Sequence, residues 1–120
     1  MKAINLKDKY TLFEDHWTPH IIGECNDQFV KIAKVKGEFV WHDHSDEDEL
    51  FYVVKGRLFI DLENSVVELN EGDMTIVPKG TMHRPRTDGE ETWIMLLEPK
   101  STKHTGSVKS KLTKNQNKYL

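Results

Sequence analysis

The chain has 120 residues, which is enough for one domain with its own core and too few for a second. Hydrophobic residues make up 37% of the sequence and charged residues 31%, and no apolar run reaches the roughly 18 residues of a membrane-spanning helix. The single cysteine, Cys25, excludes an internal disulfide framework and agrees with a reducing compartment. Residues 1–10 lack the apolar centre of a signal peptide, so we expect a cytoplasmic protein that does not bind membranes.

Charge is distributed unevenly along the chain. The formal net charge is −3, and residues 99–120 contain six lysines and no acidic residue, so removing these six positive charges leaves −9 on residues 1–98. Spaced lysines without arginine or interleaved aromatic residues do not predict nucleic-acid binding. We therefore expect an acidic body and a basic tail that is either solvated or docked onto that body.

Residues 1–27 form an N-terminal region with two short apolar pieces, Tyr10–Phe13 and His20–Glu24, which we predict to be short strands. His16 and His20 are four residues apart, as on one face of a helix, but Pro19 between them argues against a helix there. We interpret both histidines as surface or packing residues.

From Phe29 onward the pattern is typical of strands. The segments are short, rich in β-branched and aromatic residues, and separated by turns that contain Gly, Asn, Asp or Pro. Eight such segments predict an all-β sandwich or barrel. The predicted strands are Phe29–Val35, Phe39–His42, Glu49–Lys55, Arg57–Leu62, Val66–Leu69, Met74–Val77, His83–Arg86 and Thr92–Glu98.

Two of these strands, at residues 50–54 and 93–97, are apolar at both odd and even positions. This pattern predicts that both of their faces are buried, one inside the barrel and the other against a second subunit. We therefore expect a homodimer. If the Glu49 side chain points into the barrel, Phe51 and Val53 share that side.

The stretch from Gly37 to Gly56, GEFVWHDHSDEDELFYVVKG, contains the candidate chemistry. His42 and His44 are two residues apart, so an extended backbone places both imidazoles on one face, and Glu49 can return a carboxylate to the same cavity. A second block, Gly72 to Thr87, offers His83 as a third imidazole. Nitrogen and oxygen ligands of this kind suit first-row divalent metals. Arg84 and Arg86 are out of phase with His83 and are expected on the opposite face.

The tail, residues 99–120, is polar and has no apolar period. We expect irregular structure there, with His104 in solvent. The same feature predicts that deletion of residues 102–120 leaves the fold and the metal site intact.

The two blocks together resemble the motifs of the cupin superfamily. The first motif requires His-x-His, a glutamate after four residues and a glycine six residues later, which His42, His44, Glu49 and Gly56 satisfy. In the second motif, Gly72, Pro78, Gly80 and His83 stand at the expected positions. Two positions depart from the pattern, since Gly37 is one residue too close to His42 and Thr87 stands where asparagine is usual. The resemblance implies a double-stranded β-helix, or jelly-roll barrel, over residues 28–98.

Three imidazoles and one carboxylate leave an octahedral ion two adjacent open positions, and Fe(II), Mn(II), Ni(II) and Zn(II) all suit this ligand set. The resemblance implies a metal-dependent enzyme acting on a small organic molecule, with dioxygenase-like chemistry favoured and isomerisation of a sugar or keto acid next. The alternative is a non-catalytic module that binds a small ligand or the metal itself. Candidate walls of an apolar ligand pocket are Phe39, Phe51, Phe59, Met74, Ile76 and Met95.

Overall fold

The computed structural model describes residues 1–103, 105–106 and 118–120. One short helix, α1, at Leu6–Tyr10 precedes eight strands. The strands are β1 (His20–Cys25), β2 (Gln28–Val35), β3 (Glu49–Lys55), β4 (Leu58–Asp61), β5 (Val66–Leu69), β6 (Met74–Val77), β7 (Arg84–Arg86) and β8 (Thr92–Pro99). The predicted all-β class is confirmed. His104 and most of the remaining tail lie outside the described residues.

The strands form two antiparallel sheets that face each other. The first has five strands in the order β1-β2-β8-β3-β6, and the second has three in the order β5-β4-β7. The inner faces share one core, to which β3 contributes Phe51 and Val53 and β8 contributes Ile94 and Leu96. Burial along β3 alternates from Glu49 onward, so Glu49, Phe51 and Val53 point into the barrel as the parity predicted.

The prediction of a strand at Tyr10–Phe13 is wrong, because Tyr10 ends α1. The Asn5 side chain caps the first turn by accepting a hydrogen bond from the Asp8 backbone N–H. Tyr10 is fully buried, and its hydroxyl donates to the backbone carbonyl of Ile94 on β8. Tertiary burial of this one aromatic side chain therefore holds a helix of a single turn that local propensity alone does not favour.

The helix also covers part of the outer face of the large sheet. The Tyr10 ring stacks on Trp93 with centroids 4.7 Å apart, and Phe13 joins the same cluster with Ile32, Val54 and Met95. The N-terminal region of the chain itself therefore buries about half of the apolar outer face of the large sheet. The described residues leave the rest of this face uncovered. On it, Met74 and Ile76 of β6 are about 50% exposed, beside the partly buried Leu50, Tyr52 and Leu97.

The predicted strand Phe39–His42 is also absent as a regular strand. The segment makes isolated bridges, Glu38 with Arg86 and His42 with His83, and not a continuous ladder. His42 and His83 exchange backbone hydrogen bonds in both directions, with nitrogen to oxygen distances of 3.0 and 2.9 Å. Two potential ligands are thus fixed opposite each other by backbone pairing.

The described parts of the C-terminal region dock onto the body. Lys100 and Tyr119 both bind Glu24 through their side chains. The backbone of residues 118–120 brackets Ile21, whose N–H donates to the Lys118 carbonyl and whose carbonyl accepts from the Leu120 N–H. Of the two tail states considered from the charge pattern, these contacts favour the docked one. They argue against deletion of residues 102–120 being harmless.

Among the described residues, no helix is long and apolar enough to cross a membrane.

Candidate metal centre

The four predicted ligands come together inside the barrel. His42 and His44 lie in the segment between β2 and β3, Glu49 begins β3, and His83 directly precedes β7. All four side chains are buried, and one potential ligand atom of each lies within 4.8 Å of the others. The motif residues therefore form a single cluster although 41 positions separate the first from the last.

Backbone carbonyls orient two of the imidazoles. His42 Nδ1 lies 2.9 Å from the Val40 carbonyl and His83 Nδ1 lies 2.8 Å from the Thr81 carbonyl. A carbonyl only accepts, so in the neutral ring each Nδ1 carries the proton and each Nε2 has a free lone pair. Metal-ligating histidines usually show this arrangement, because an acceptor on one ring nitrogen leaves the other nitrogen free to bind the ion.

Several buried polar atoms of the cluster have no hydrogen-bond partner within the described part of the chain. They are both ring nitrogens of His44, Glu49 Oε1 and His83 Nε2. Glu49 Oε1 lies 3.5 Å from His44 Nε2 and 3.6 Å from His83 Nε2. Ligand atoms about 2.1 Å from one shared ion are roughly 3 to 4 Å apart, so these spacings suit a divalent cation. Leaving such atoms unpaired costs about 1–3 kcal/mol each, which an ion would offset.

The electrostatics of the cluster keep Glu49 ionised and His42 neutral. Burial and the neighbouring His83 lower the pKa of His42 to about 4. Burial also opposes protonation of His44, but the carboxylate of Glu49, 3.5 Å away, outweighs it and raises the His44 pKa. Burial would raise the pKa of Glu49, yet the neighbouring imidazoles of His44 and His83 hold it well below its usual value. The carboxylate is therefore available to a cation at neutral pH.

A buried ion pair that the sequence analysis missed lies beside the cluster. Lys31 on β2 and Glu98 on β8 are 1% and 2% exposed, with Nζ and Oε1 2.9 Å apart. The register of β3 on β8 pairs Leu50 with Leu97, so the next inward position sets Glu98 beside Glu49. Burial, and then the charge of Glu49, raise the pKa of Glu98 well above its usual value. The sequence gives no sign that Lys31 is buried, because lysine is usually exposed.

The two departures from the expected motifs contact each other. Gly37 adopts a φ of 81°, a conformation that favours glycine. Its N–H donates to Thr87 Oγ1 at 2.8 Å, and its carbonyl accepts from the Thr87 N–H at 2.9 Å. Thr87 is thus a structural partner of the shifted turn before His42.

An apolar cavity of ≈ 40 Å³ adjoins the cluster inside the barrel. His42 and Glu49 supply its polar walls, and Trp17, Phe39 and Phe51 are among its apolar ones. The expected walls Phe39 and Phe51 are therefore correct. The other four are wrong because they occupy outward positions of their strands: Phe59, Met74, Ile76 and Met95.

A more polar hollow of ≈ 160 Å³ lies beside His44, between the acidic loop at residues 43–47 and the start of the tail. Glu47 accepts a hydrogen bond from the Ser101 hydroxyl at 3.1 Å across this hollow. Gly106, with a φ of 59°, packs so closely on Asp43 that any Cβ at this position would collide with the Asp43 carbonyl oxygen. The tail therefore covers the loop that carries His44.

Other titratable residues of the sequence lie apart from the cluster. His16 binds Glu91 and His20 binds Asp15, with nitrogen to oxygen distances of 2.7 and 3.2 Å. Arg84 and Arg86 both bind Asp61 on the outer side of the small sheet, which supports their predicted orientation away from His83.

A two-sheet antiparallel barrel with a buried cluster of three imidazoles and one carboxylate defines a class of small β-barrel proteins suited to metal binding. Residues 28–105 match the family model of the cupin domain, and the chain belongs to this family. The fold and the family expected from the two motifs are thus confirmed.

Similar proteins support the same conclusion. The chain is 40% identical over 86 residues to YdbB, an uncharacterized protein of Bacillus subtilis (strain 168), a match that covers 71% of this chain and 70% of YdbB. The crystal structure of a cupin-2 domain containing protein from Shewanella frigidimarina NCIMB 400 is 46% identical with a TM-score of 0.80, covering 82% of this chain and 95% of that one. Protein NMB1881 from Neisseria meningitidis is 29% identical with a TM-score of 0.74, covering 82% of this chain and 99% of that one.

Proposed function

We propose that the chain is a metal-dependent enzyme that holds one divalent transition metal, Fe, Mn, Ni or Zn, through His42, His44, Glu49 and His83. The observation that carries the proposal is the set of buried ligand atoms that converge without protein partners among the described residues. A bound ion would supply Lewis acidity and, if redox-active, electrons. The residues hold the ligand atoms in place and keep the Glu49 carboxylate ionised.

Within this class, we favour oxidation of a small, partly apolar molecule over sugar isomerisation. A polyol needs several hydrogen-bonding groups around its carbon chain, because buried hydroxyls without partners are costly. The cavity beside the cluster has His42 and Glu49 as its ionisable wall residues. The other residues that line it are aliphatic, aromatic or proline. An apolar wall suits a hydrophobic substrate fragment and a small co-substrate such as dioxygen.

The enzymatic proposal is tested by identifying the bound metal and by measuring oxygen uptake. The metal of the purified protein is identified by elemental analysis, and the Fe(II)-loaded protein is then screened with small chelating acids, thiols and phenols in an oxygen electrode. We expect metal-dependent oxygen consumption with at least one substrate class and none from the His83→Ala variant. Isomerisation of sugars or keto acids without oxygen uptake would favour the other enzymatic function.

A second candidate is a binding module that holds the metal and a small ligand without turnover. The small volume of the cavity, ≈ 40 Å³, favours it, since few substrates fit entirely inside. Stoichiometric ligand binding to the metal-loaded protein, with no oxygen uptake and no product, would support this candidate over the enzyme.

We also propose that the protein forms a homodimer through the uncovered half of the outer sheet face. Met74 and Ile76 are 51% and 53% exposed there, next to Leu50, Tyr52 and Leu97. A contiguous apolar patch on a small domain is most readily covered by the same patch of a second copy across a twofold axis.

A further inference from the structure

One large wall of the inner cavity does not come from a strand of the barrel. Trp17 lies in the connection between α1 and β1, and it lines the cavity that His42 and Glu49 also line. The residue is only 9% exposed. A side chain from outside the sheets therefore sets one boundary of the space next to the candidate metal ligands.

The position of Trp17 is fixed by an unusual backbone conformation and two hydrogen bonds. Its φ is 60°, a left-handed value that is rare for a bulky residue. The Trp17 backbone N–H donates to the Lys34 carbonyl, and the indole N–H donates to the Lys36 carbonyl, both at 2.9 Å. Strain of this kind persists where the surroundings determine the conformation, and it often marks a functional position.

Aromatic contacts link Trp17 to the cluster without making it essential for the ligands. The indole stacks on Phe39 with centroids 4.7 Å apart, and Phe39 meets the His42 ring edge-on at 5.5 Å. His42 is held independently by its bond to Val40 and its backbone pairing with His83. A smaller residue at position 17 should therefore enlarge the cavity while the ligand geometry survives.

We propose that Trp17 is a specificity-determining residue that limits the aliphatic length of the ligand; this inference rests on the proposed metal site. The ligand class is a metal-chelating head group with a short aliphatic tail, the head at the cluster and the tail in the cavity. A water-sized position takes about 10–15 Å³ of such volume, so ≈ 40 Å³ accommodates roughly three heavy atoms. A tail longer than about three carbons meets the indole.

The test uses straight-chain alkyl hydroxamic acids, which chelate divalent metals through two oxygens and differ only in tail length. Binding to the Zn(II)-loaded protein is measured by calorimetry from acetohydroxamic to octanohydroxamic acid. In the unmodified protein we expect affinity to fall at least tenfold between tails of about three and five carbons. Trp17→Ala should bind the five-carbon tail at least tenfold more tightly than the unmodified protein does, with unchanged zinc content and unchanged affinity for acetohydroxamic acid. Trp17→Phe should lie between the two.

Trp41→Ala is the matched control, because Trp41 is 39% exposed and stacks on Arg84 outside the barrel. Its length profile should equal that of the unmodified protein. An unchanged cut-off in Trp17→Phe and Trp17→Ala, with acetohydroxamic acid still bound, would overturn the role of Trp17 alone. The role would be overturned equally if Trp17→Ala lost its zinc and Trp17→Phe kept the original cut-off. Failure of the unmodified protein to bind zinc would instead overturn the proposed function, and this inference with it.

Discussion

The candidate metal centre depends on which imidazole nitrogen each histidine keeps free. His42 and His83 donate their Nδ1 protons to backbone carbonyls, which leaves Nε2 for an ion. His44 has no such partner among the described residues, and its Nε2 lies 3.5 Å from Glu49 Oε1. We therefore regard His44 as the ligand whose orientation depends most on the ion itself.

The buried pair of Lys31 and Glu98 gives a prediction at the same scale. Removing one partner of a buried ion pair leaves an uncompensated charge and typically costs about 3–5 kcal/mol, whereas removing both costs less than the sum. We expect Lys31→Met and Glu98→Leu each to lower the free energy of unfolding strongly, and the double variant to recover part of the loss. Urea unfolding of the three variants measures the coupling.

The exposed pair of Lys100 and Glu24 supplies a matched control. Lys100→Met should change the urea midpoint very little, because exposed ion pairs are screened by solvent. Equal effects of Lys31→Met and Lys100→Met would contradict the importance of the buried pair.

The sequence predicted the four candidate ligand residues but not their neighbours, for a physical reason. Two-residue alternation and the spacing of the two motifs determine which side chains can meet, so His42, His44, Glu49 and His83 could be named before the structure was known. Lys31 and Trp17 carry no comparable signal. Their burial depends on strand register and on a left-handed backbone residue, which arise only when the sheets assemble.

At the level of secondary-structure elements, the segments flanking the barrel complete it. The sequence predicted strands β3, β5 and β6 with their observed bounds, because alternating or β-branched runs between turns are strong local signals. It did not predict α1, since one turn of helix has almost no local stability. Nor did it predict the docking of residues 118–120 on Ile21, which depends on contacts far apart in the chain.

Docking of the tail predicts that deletion of residues 102–120 destabilises the protein and weakens metal binding. Thr102 and Thr105 are buried, and Leu120 packs on the cluster around Tyr10. We expect a lower melting temperature and a lower zinc affinity for the truncated chain, measured by calorimetry.

Gly106→Ala isolates the contact with the His44 loop, because the new methyl group would collide with the Asp43 carbonyl. Gly72→Ala is its control, since Gly72 also has a positive φ but no atom near the added methyl group. A zinc affinity equal in these two variants would show that the tail does not support the loop.

The outer face of the large sheet gives a second prediction at this scale. Ile76→Asp places a charge within the uncovered apolar patch and should convert the proposed dimer into a monomer. Val66→Asp is a suitable control, because Val66 is similarly exposed at 52% but lies on the small sheet. Sedimentation equilibrium at micromolar concentration distinguishes the states, and a 14.0 kDa monomer for the unmodified chain would contradict the dimer.

At the scale of the whole molecule, the cluster should couple metal binding to pH in two stages. An imidazole binds a metal only when neutral, so a raised pKa brings proton competition to higher pH and a lowered pKa delays it. The His44 pKa is raised above 6.5, the ordinary value for histidine. As the pH is lowered, metal affinity should therefore begin to fall before pH 6.5 is reached. The His42 pKa of about 4 delays its competition to more acidic solution. Competition titrations with a chromophoric chelator between pH 8 and about 5 should therefore show fewer than three protons bound per ion released near pH 6, and three at that pH would contradict the difference between the two histidines.

The central claim is that His42, His44, Glu49 and His83 bind one divalent ion. The most direct test measures zinc per chain by elemental analysis after dialysis at pH 7.5, for the unmodified protein and for His42→Ala, His44→Ala, Glu49→Gln and His83→Ala. We predict one ion per chain in the unmodified protein and a large loss of zinc in each variant, whereas His16→Ala, which alters a histidine bound to Glu91, should retain a full complement. No zinc in the unmodified protein, or as great a loss in His16→Ala as in His42→Ala, would contradict the assignment.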